Sequence, residues 1–114
     1  MRIIQESVSL EELHRLAKEQ FGDFVKAVVD VELEVMAVGG ELHADEEAVL
    51  MEKGSRQRDL WGINLYPEKS GEEWLEYDSM INVRPSQNNR SRGVEDAALR
   101  AKIREIVKKK VSRS

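Results

Sequence analysis

The chemically richest stretch of the chain is residues 84–93, Arg-Pro-Ser-Gln-Asn-Asn-Arg-Ser-Arg-Gly. It carries three arginines, three side-chain amides and two hydroxyls, and no large apolar side chain. Guanidinium groups bind phosphate and carboxylate through paired hydrogen bonds, and Gly93, close to a helix start, leaves backbone N–H groups available to an anion. The sequence therefore predicts that Arg84, Arg90 and Arg92 bind an anionic or phosphate-bearing partner.

Two other interpretations of this arginine loop, residues 84–93, stay open. Glu95 and Asp96 follow the loop and place negative charge where an anion would bind. The arginines would then form an intramolecular clamp on the protein's own carboxylates, with Asp78 or Glu41 as partners. Alternatively, the loop is a disordered connector that binds nothing.

The loop also marks a boundary in the distribution of charge. Residues 1–83 contain 8 Lys/Arg against 19 Asp/Glu, whereas residues 84–114 contain 10 against 3, in a chain of net charge −4. A basic segment can bind phosphates, but an acidic chain attracts a polyanion only weakly at long range. Nucleic acid is therefore a less supported partner, and self-association of the acidic body with a neighbour's basic segment is a further alternative.

A second set of chemical groups surrounds His43. Acidic residues at position 41 and at positions 45–47 flank it, and nearby carboxylates raise the pKa of an imidazole, which suits a general acid or base. Glu41 and His43 are expected to alternate onto one face of an extended segment. Their spacing matches no metal signature, so no metal site is predicted. The candidate catalytic residues are His43, Glu41 and Asp78, with a plain surface histidine as the alternative.

Alternation along residues 74–84 predicts a strand with one polar face. That face would carry Glu76, Asp78, Asn82 and Arg84 and lead directly into the arginine loop. It is either an ordinary solvated face or a binding site. In the second case Asn82 and Asp78 join the arginines as binding residues.

Local signals predict the elements that position these groups. Ser9 and Asp96 are typical helix N-cap residues, and apolar residues follow each at helical spacing. Residues 44–54 fit a helix or a strand, and the apolar run at 48–51 favours a strand. The other predicted elements are helices over 10–20 and from 96, a hairpin over 25–38, and strands over 59–66 and 74–83. We expect a single α+β domain over 1–114, with an antiparallel, meander-like sheet of about four to five strands and an N-terminal and a C-terminal helix packed on one face.

Composition narrows the class of protein. Hydrophobic residues make up 40% and charged residues 35%, which is typical of a globular chain. The absence of cysteine excludes disulfides, thiolate nucleophiles and Cys-ligated zinc. The first apolar run ends at Glu6, too early for a signal peptide, and no segment is apolar enough to span a membrane. We therefore expect a cytoplasmic protein without a cofactor or membrane association.

Three motifs occur in order: residues 39–47 (GGELHADEE), 59–67 (DLWGINLYP) and 81–96 (INVRPSQNNRSRGVED). Together they resemble a family of short prokaryotic proteins catalogued as a domain of unknown function. The resemblance covers nearly the whole chain and implies no activity. The chain departs from the family pattern at Asn88, where glycine is expected, and at Ala97, where proline is expected. The first change bears on any loop that needs a positive φ, and the second weakens a pre-set helix start.

The leading hypothesis is a small binding or regulatory module for an anionic partner. Its binding residues are Arg84, Arg90, Arg92, Asn82 and Asp78. The main alternative is a hydrolase or nuclease-like enzyme, in which His43 is the acid or base, Glu41 or Asp78 orients it, and the arginines hold a phosphate. A self-associating structural protein is the third hypothesis.

Overall fold

Residues 1–112 are described here from a computed structural model. The elements, in chain order, are β1 (Arg2–Ile4), β2 (Val8–Ser9), α1 (Leu10–Glu19), β3 (Val25–Asp30), β4 (Val35–Val38), α2 (His43–Glu52), β5 (Leu60–Leu65), β6 (Leu75–Glu76), α3 (Ala97–Lys110) and β7 (Val111–Ser112). The main sheet is antiparallel with strand order β1-β4-β3-β5-β6, and β2 pairs in parallel with β7. The predicted α+β class and antiparallel sheet are therefore confirmed. Only the β3–β4 and β5–β6 pairs join consecutive strands of the main sheet, so it is not a simple meander.

The β3–β4 hairpin forms as predicted, although its turn lacks the usual Asn-Gly or Asp-Gly pair. The side chain of Asp30 replaces that signal, because its Oδ1 accepts the N–H groups of Glu32 (2.8 Å) and Leu33 (2.9 Å). Ser55 donates its hydroxyl to the other oxygen of Asp30 at 2.5 Å. Glu34 completes the turn with a φ of 55°. A buried aspartate thus makes the turn that the local sequence leaves undefined.

The terminal helices begin at the predicted capping residues. Ser9 Oγ accepts the N–H of Glu12 at 3.0 Å, and Asp96 Oδ1 accepts the N–H of Ala98 at 2.9 Å. Apolar side chains of α1 and α3 belong to one buried cluster, together with alternate residues of β3 and β5. Among residues 1–112, no helix combines the length and apolarity needed to cross a bilayer.

Residues 44–54 are not a strand, so this prediction is wrong. Residues 44–52 lie in α2, and the chain leaves the helix through Gly54, which has a φ of 108°. Leu50 of this helix packs in a second buried cluster with Val28, Ala37 and Leu60. The apolar run at residues 48–51, which suggested a strand, is only partly buried: Leu50 lies in the core, whereas Met51 is exposed.

The strand predicted over 74–83 is also mostly wrong. Only Leu75–Glu76 pair with β5, and the chain then makes a single 3-10 turn at Met80–Asn82. Ser79 begins that turn by accepting the N–H of Ile81 at 3.2 Å. Since regular alternation ends here, the predicted polar face of Glu76, Asp78, Asn82 and Arg84 does not form. Asn82 is instead completely buried and Met80 is exposed.

Candidate functional site

The side chain of Asn82 fastens residues 78–93 to the sheet. Its Oδ1 accepts the N–H of Gly62 at 2.8 Å, and its Nδ2 donates to the carbonyl of Gly62 at 2.9 Å. The same Nδ2 donates to the carbonyl of Arg92 at 2.9 Å. Asn82 was predicted to bind a ligand, but its hydrogen-bonding groups are engaged within the protein.

Asn89 organises the interior of the arginine loop. Its Nδ2 donates to the carbonyls of Asn82 and Gly93, each at 2.7 Å, and its Oδ1 accepts the N–H of Glu95 at 2.8 Å. The preceding Asn88 has a φ of 60°, in the left-handed region that asparagine adopts more readily than most residues. The loop therefore keeps a positive φ at the position where glycine was expected. It is an ordered structure rather than a connector.

The place predicted for an external anion is filled by the protein's own carboxylate. Glu95 Oε2 accepts the backbone N–H groups of Arg90 (2.7 Å) and Ser91 (2.8 Å). These two hydrogen bonds lower the pKa of Glu95 below its usual value. Two backbone donors of the loop are therefore already engaged by an anion.

Arg84 acts as an internal clamp. Its Nε donates to the carbonyl of Ile81 at 3.0 Å, its Nη2 donates to the carbonyl of Leu60, and its guanidinium carbon lies 4.6 Å from the centre of the Trp61 ring. Glu47 Oε2 lies 3.5 Å from the same Nη2, and both side chains are largely buried. Burial lowers the pKa of Arg84, while the carboxylate of Glu47 opposes that change. This arginine is held by the protein and has little surface left for a ligand.

The other two arginines of the loop are exposed. Arg92 Nε lies 2.7 Å from Asp78 Oδ1, in a pair that is open to solvent on both sides. Arg90 forms no ion pair with any of residues 1–112. Of the predicted binding arginines, Arg92 is the one that lies beside His43.

His43 is the first residue of α2, and its ring is mostly buried. Its Nε2 lies 2.8 Å from the carbonyl oxygen of Ile63. Because a carbonyl only accepts, Nε2 carries the proton, and Nδ1 is the acceptor nitrogen of the neutral ring. Burial lowers the pKa of His43 below its usual 6.5; Lys26 adds to that effect, while the Ile63 carbonyl, Asn64 and Asp78 oppose it. The predicted rise in its pKa is therefore wrong, because desolvation outweighs the nearby carboxylates.

His43 lines a depression of about 190 Å³, which we call the His43 depression. Its lining residues are Lys26, Leu42, His43, Ala44, Ser79, Met80, Ile81 and Arg92. They come from β3, from the start of α2 and from the segment between β6 and α3. Arg84 lies instead in a neighbouring depression with Glu47 and Arg58, so His43 and Arg84 do not share one concavity.

Two local features shape this depression. A Cβ at Gly62 would lie 2.6 Å from Ser79 Oγ and 3.2 Å from His43 Cδ2, so only glycine allows this close approach. Leu42 gives α2 no side-chain cap, and its carbonyl accepts the N–H of Asp45 at 3.1 Å, so within residues 1–112 the N–H groups of His43 and Ala44 have no hydrogen-bond partner. Asn64 is 7% exposed, and its Oδ1 makes no hydrogen bond of standard geometry.

Glu41, a second candidate catalytic residue, is exposed in the turn before α2. It lines an adjoining depression with Phe21, Lys26 and Leu42, and the predicted extended segment that would have aligned it with His43 is absent. Within residues 1–112, no three His, Asp or Glu side chains are placed to hold a metal ion together.

Sequence reasoning missed Lys26, Ser79 and Gly62. Lys26 carried a usable signal, because it is the one cation in the apolar run of β3. Ser79 and Gly62 carried none, since their importance comes from contact between segments that are distant in the chain.

The fold and the depression define a small α+β protein with a mixed cationic and apolar concavity beside the start of its middle helix. The chain belongs to the family described as "Protein of unknown function (DUF5674)", whose sequence model matches residues 2–110. The resemblance to a domain of unknown function is thereby confirmed. No curated protein and no solved structure matches the chain.

Proposed function

We propose that this protein is a binding module for a phosphate-bearing ligand, held in the His43 depression. The observation that carries this proposal is convergence: Lys26, His43 and Arg92 come from three separate parts of the chain and line one concavity. Cations and N–H donors that are grouped in one place are typical of an anion site. Such a local site can attract an anion although the chain as a whole is acidic. Of the residues in the arginine loop, Arg92 alone would then bind the ligand.

The groups in the depression match the chemistry of a phosphate monoester. Lys26 and Arg92 would each pair with a phosphate oxygen, and the uncapped N–H groups at the start of α2 would donate to another. Nδ1 of neutral His43 would accept the proton of a phosphate monoanion. Asp78 competes for Arg92 in the free protein, but this pair is solvent-exposed and therefore weak.

Binding should depend on local rather than long-range electrostatics. The chain has a net charge of −4, so it repels an anion at a distance and attracts it only within the depression. We therefore expect modest affinity that weakens as salt rises.

The test is an NMR titration of the protein with ribose 5-phosphate. The double variant Lys26→Gln/Arg92→Gln should lose about a hundredfold or more in affinity, because it removes two charge-assisted hydrogen bonds that contribute about 1.5–3 kcal/mol each. The matched control is Lys53→Gln/Arg90→Gln, which removes the same charge at exposed positions outside the depression. An equal loss in both double variants, or no resonance shift for His43 in the unsubstituted protein, would contradict the proposal.

A second candidate function is hydrolysis of a phosphoester. It is favoured by one observation: the hydrogen bond from Nε2 to Ile63 leaves Nδ1 as the basic nitrogen of His43, and His43 lines the same depression as Arg92. His43 would take a proton from the attacking water while Arg92 holds the phosphate. The assay is hydrolysis of p-nitrophenyl phosphate and of its diester, and the activity should disappear in His43→Gln. No turnover of either compound would exclude this reaction class.

A further inference from the structure

Three aromatic rings form a stack close to the His43 depression. The rings of Phe21 and Phe24 are nearly parallel, with centroids 4.9 Å apart, and the ring of Tyr66 packs against Phe24 at 5.4 Å with a tilt of 34°. A lysine ammonium lies over each end, Lys26 at 4.9 Å from the Phe21 centroid and Lys69 at 4.7 Å from the Tyr66 centroid. We call these three rings the aromatic stack.

The aromatic stack and the depression form one continuous surface. Lys26 and Leu42 line the His43 depression and also an adjoining open depression of about 540 Å³, whose other lining residues include Phe21. Phe21 is 38% exposed and belongs to neither buried cluster. A partly exposed phenylalanine ring thus lies beside a lysine that also lines the His43 depression.

We infer that the ligand of the His43 depression is a mononucleotide, an inference that rests on the proposed function. Its phosphate would lie between Arg92 and His43, and its base would stack on Phe21. Lys26 would move from the Phe21 ring to the phosphate. An exposed contact between an ammonium and a phenylalanine ring is weaker than stacking of a base, and the displaced lysine gains an ion pair. The exchange is therefore favourable.

The charges around the adjoining depression favour one nucleotide over a longer strand. Glu19 and Glu41 line it together with Phe21. These carboxylates can accept hydrogen bonds from ribose hydroxyls or from a base amino group. They would repel the further phosphates of a strand that continued past Phe21. Because stacking reads only the flat face of a base, we expect little preference among bases.

The test compares binding of AMP, ribose 5-phosphate and an oligodeoxyadenylate by calorimetry. AMP should bind about tenfold more tightly than ribose 5-phosphate, since stacking on an aromatic ring contributes on that order. Phe21→Leu should remove this advantage and leave the affinity for ribose 5-phosphate unchanged. Phe21→Trp should keep it, and Leu33→Ala is the control, because it removes an exposed apolar side chain from the turn after β3, away from both depressions.

The outcomes separate this inference from the proposed function. If ribose 5-phosphate and AMP bind equally and Phe21→Leu changes neither, the nucleotide assignment is overturned while the phosphate site stands. If the oligodeoxyadenylate binds far more tightly than AMP, the ligand is a strand and the assignment is again overturned. If none of the three binds, the phosphate site itself fails and the assignment falls with it. Melting temperatures within a few degrees of the unsubstituted protein would show that each variant is folded.

Discussion

Replacing Glu46 with glutamine should remove a strong pH dependence of stability. Glu46 lies in α2 and is completely buried, with Oε2 accepting the N–H of Gly40 at 2.9 Å and Oε1 without a hydrogen-bond partner. Burial raises the pKa of this carboxyl to about 9, although the Gly40 N–H, Lys26 and the N-terminal amine all act to lower it. The folded protein therefore keeps a proton on Glu46 at neutral pH.

The size of the effect follows from the two pKa values. The unfolded chain loses this proton near 4.5, whereas the folded protein loses it near 9. Between these values the folded state holds one more proton than the unfolded state, so the free energy of unfolding falls by about 1.4 kcal/mol per pH unit. The contribution of Glu46 is fully present below pH 4.5 and is lost as pH rises towards 9. From about pH 5 to about pH 7 the loss is about 3 kcal/mol.

The assay is urea unfolding of the unsubstituted protein and of Glu46→Gln at several values between about pH 5 and about pH 8. The difference in unfolding free energy between the two proteins should grow in favour of the variant by about 1.4 kcal/mol per pH unit. Glu52→Gln, at an exposed position of the same helix, is the control and should leave the slope unchanged. Parallel curves for Glu46→Gln and the unsubstituted protein would refute the assignment of a buried, protonated carboxyl.

Three further substitutions test the arginine loop and its attachment to the sheet, each by chemical denaturation. Asn82→Ala should lower the unfolding free energy by about 3 kcal/mol, because the N–H and the carbonyl of Gly62 and the carbonyl of Arg92 each lose a hydrogen bond of about 1 kcal/mol. A decrease of less than about 1 kcal/mol would contradict the assigned contacts. Arg84→Gln should cost about 3 kcal/mol by leaving Glu47 unpaired, whereas the exposed Arg58→Gln should change little. Asn88→Ala should lower the unfolding free energy by about 1 kcal/mol, whereas Asn88→Gly should not, because residue 88 adopts a positive φ that glycine accepts and alanine does not. Equal effects of the two substitutions would exclude this explanation.

The parts of the fold that the sequence predicts well are those with local causes. Ser9 and Asp96 cap helices through hydrogen bonds that span two or three residues, and the β3–β4 hairpin shows its alternation directly. Helix α2 has no such signal, because its buried residues are Glu46 and Leu50, so that one of its two inward side chains is a carboxylic acid. A pattern search counts Glu46 as polar and exposed.

The candidate site depends on contacts that no local pattern contains. The alternation through Tyr77, Ser79 and Ile81 imitates a strand, but hydrogen bonds from Asn82 to Gly62 fold this segment over β5 instead. The arginine loop looked like an anion site by composition. Glu95 binds two of its backbone donors, and the amide of Asn89 helps to bring Glu95 there by accepting its N–H.

The hydrogen bonds of Asn82 and Arg84 have a consequence for the behaviour of the protein at high concentration. On the side of β5 away from β3, only Asn64 and Leu65 have a strand as neighbour. Unpaired peptide groups along such an edge are where a strand of another molecule adds and where aggregates begin. Here the peptide groups of Gly62 and the carbonyl of Leu60 are occupied by side chains of the same chain. This stretch of the sheet edge is thereby covered without a further strand, and a chain that loses these side chains would expose peptide groups to which a strand of another molecule can add.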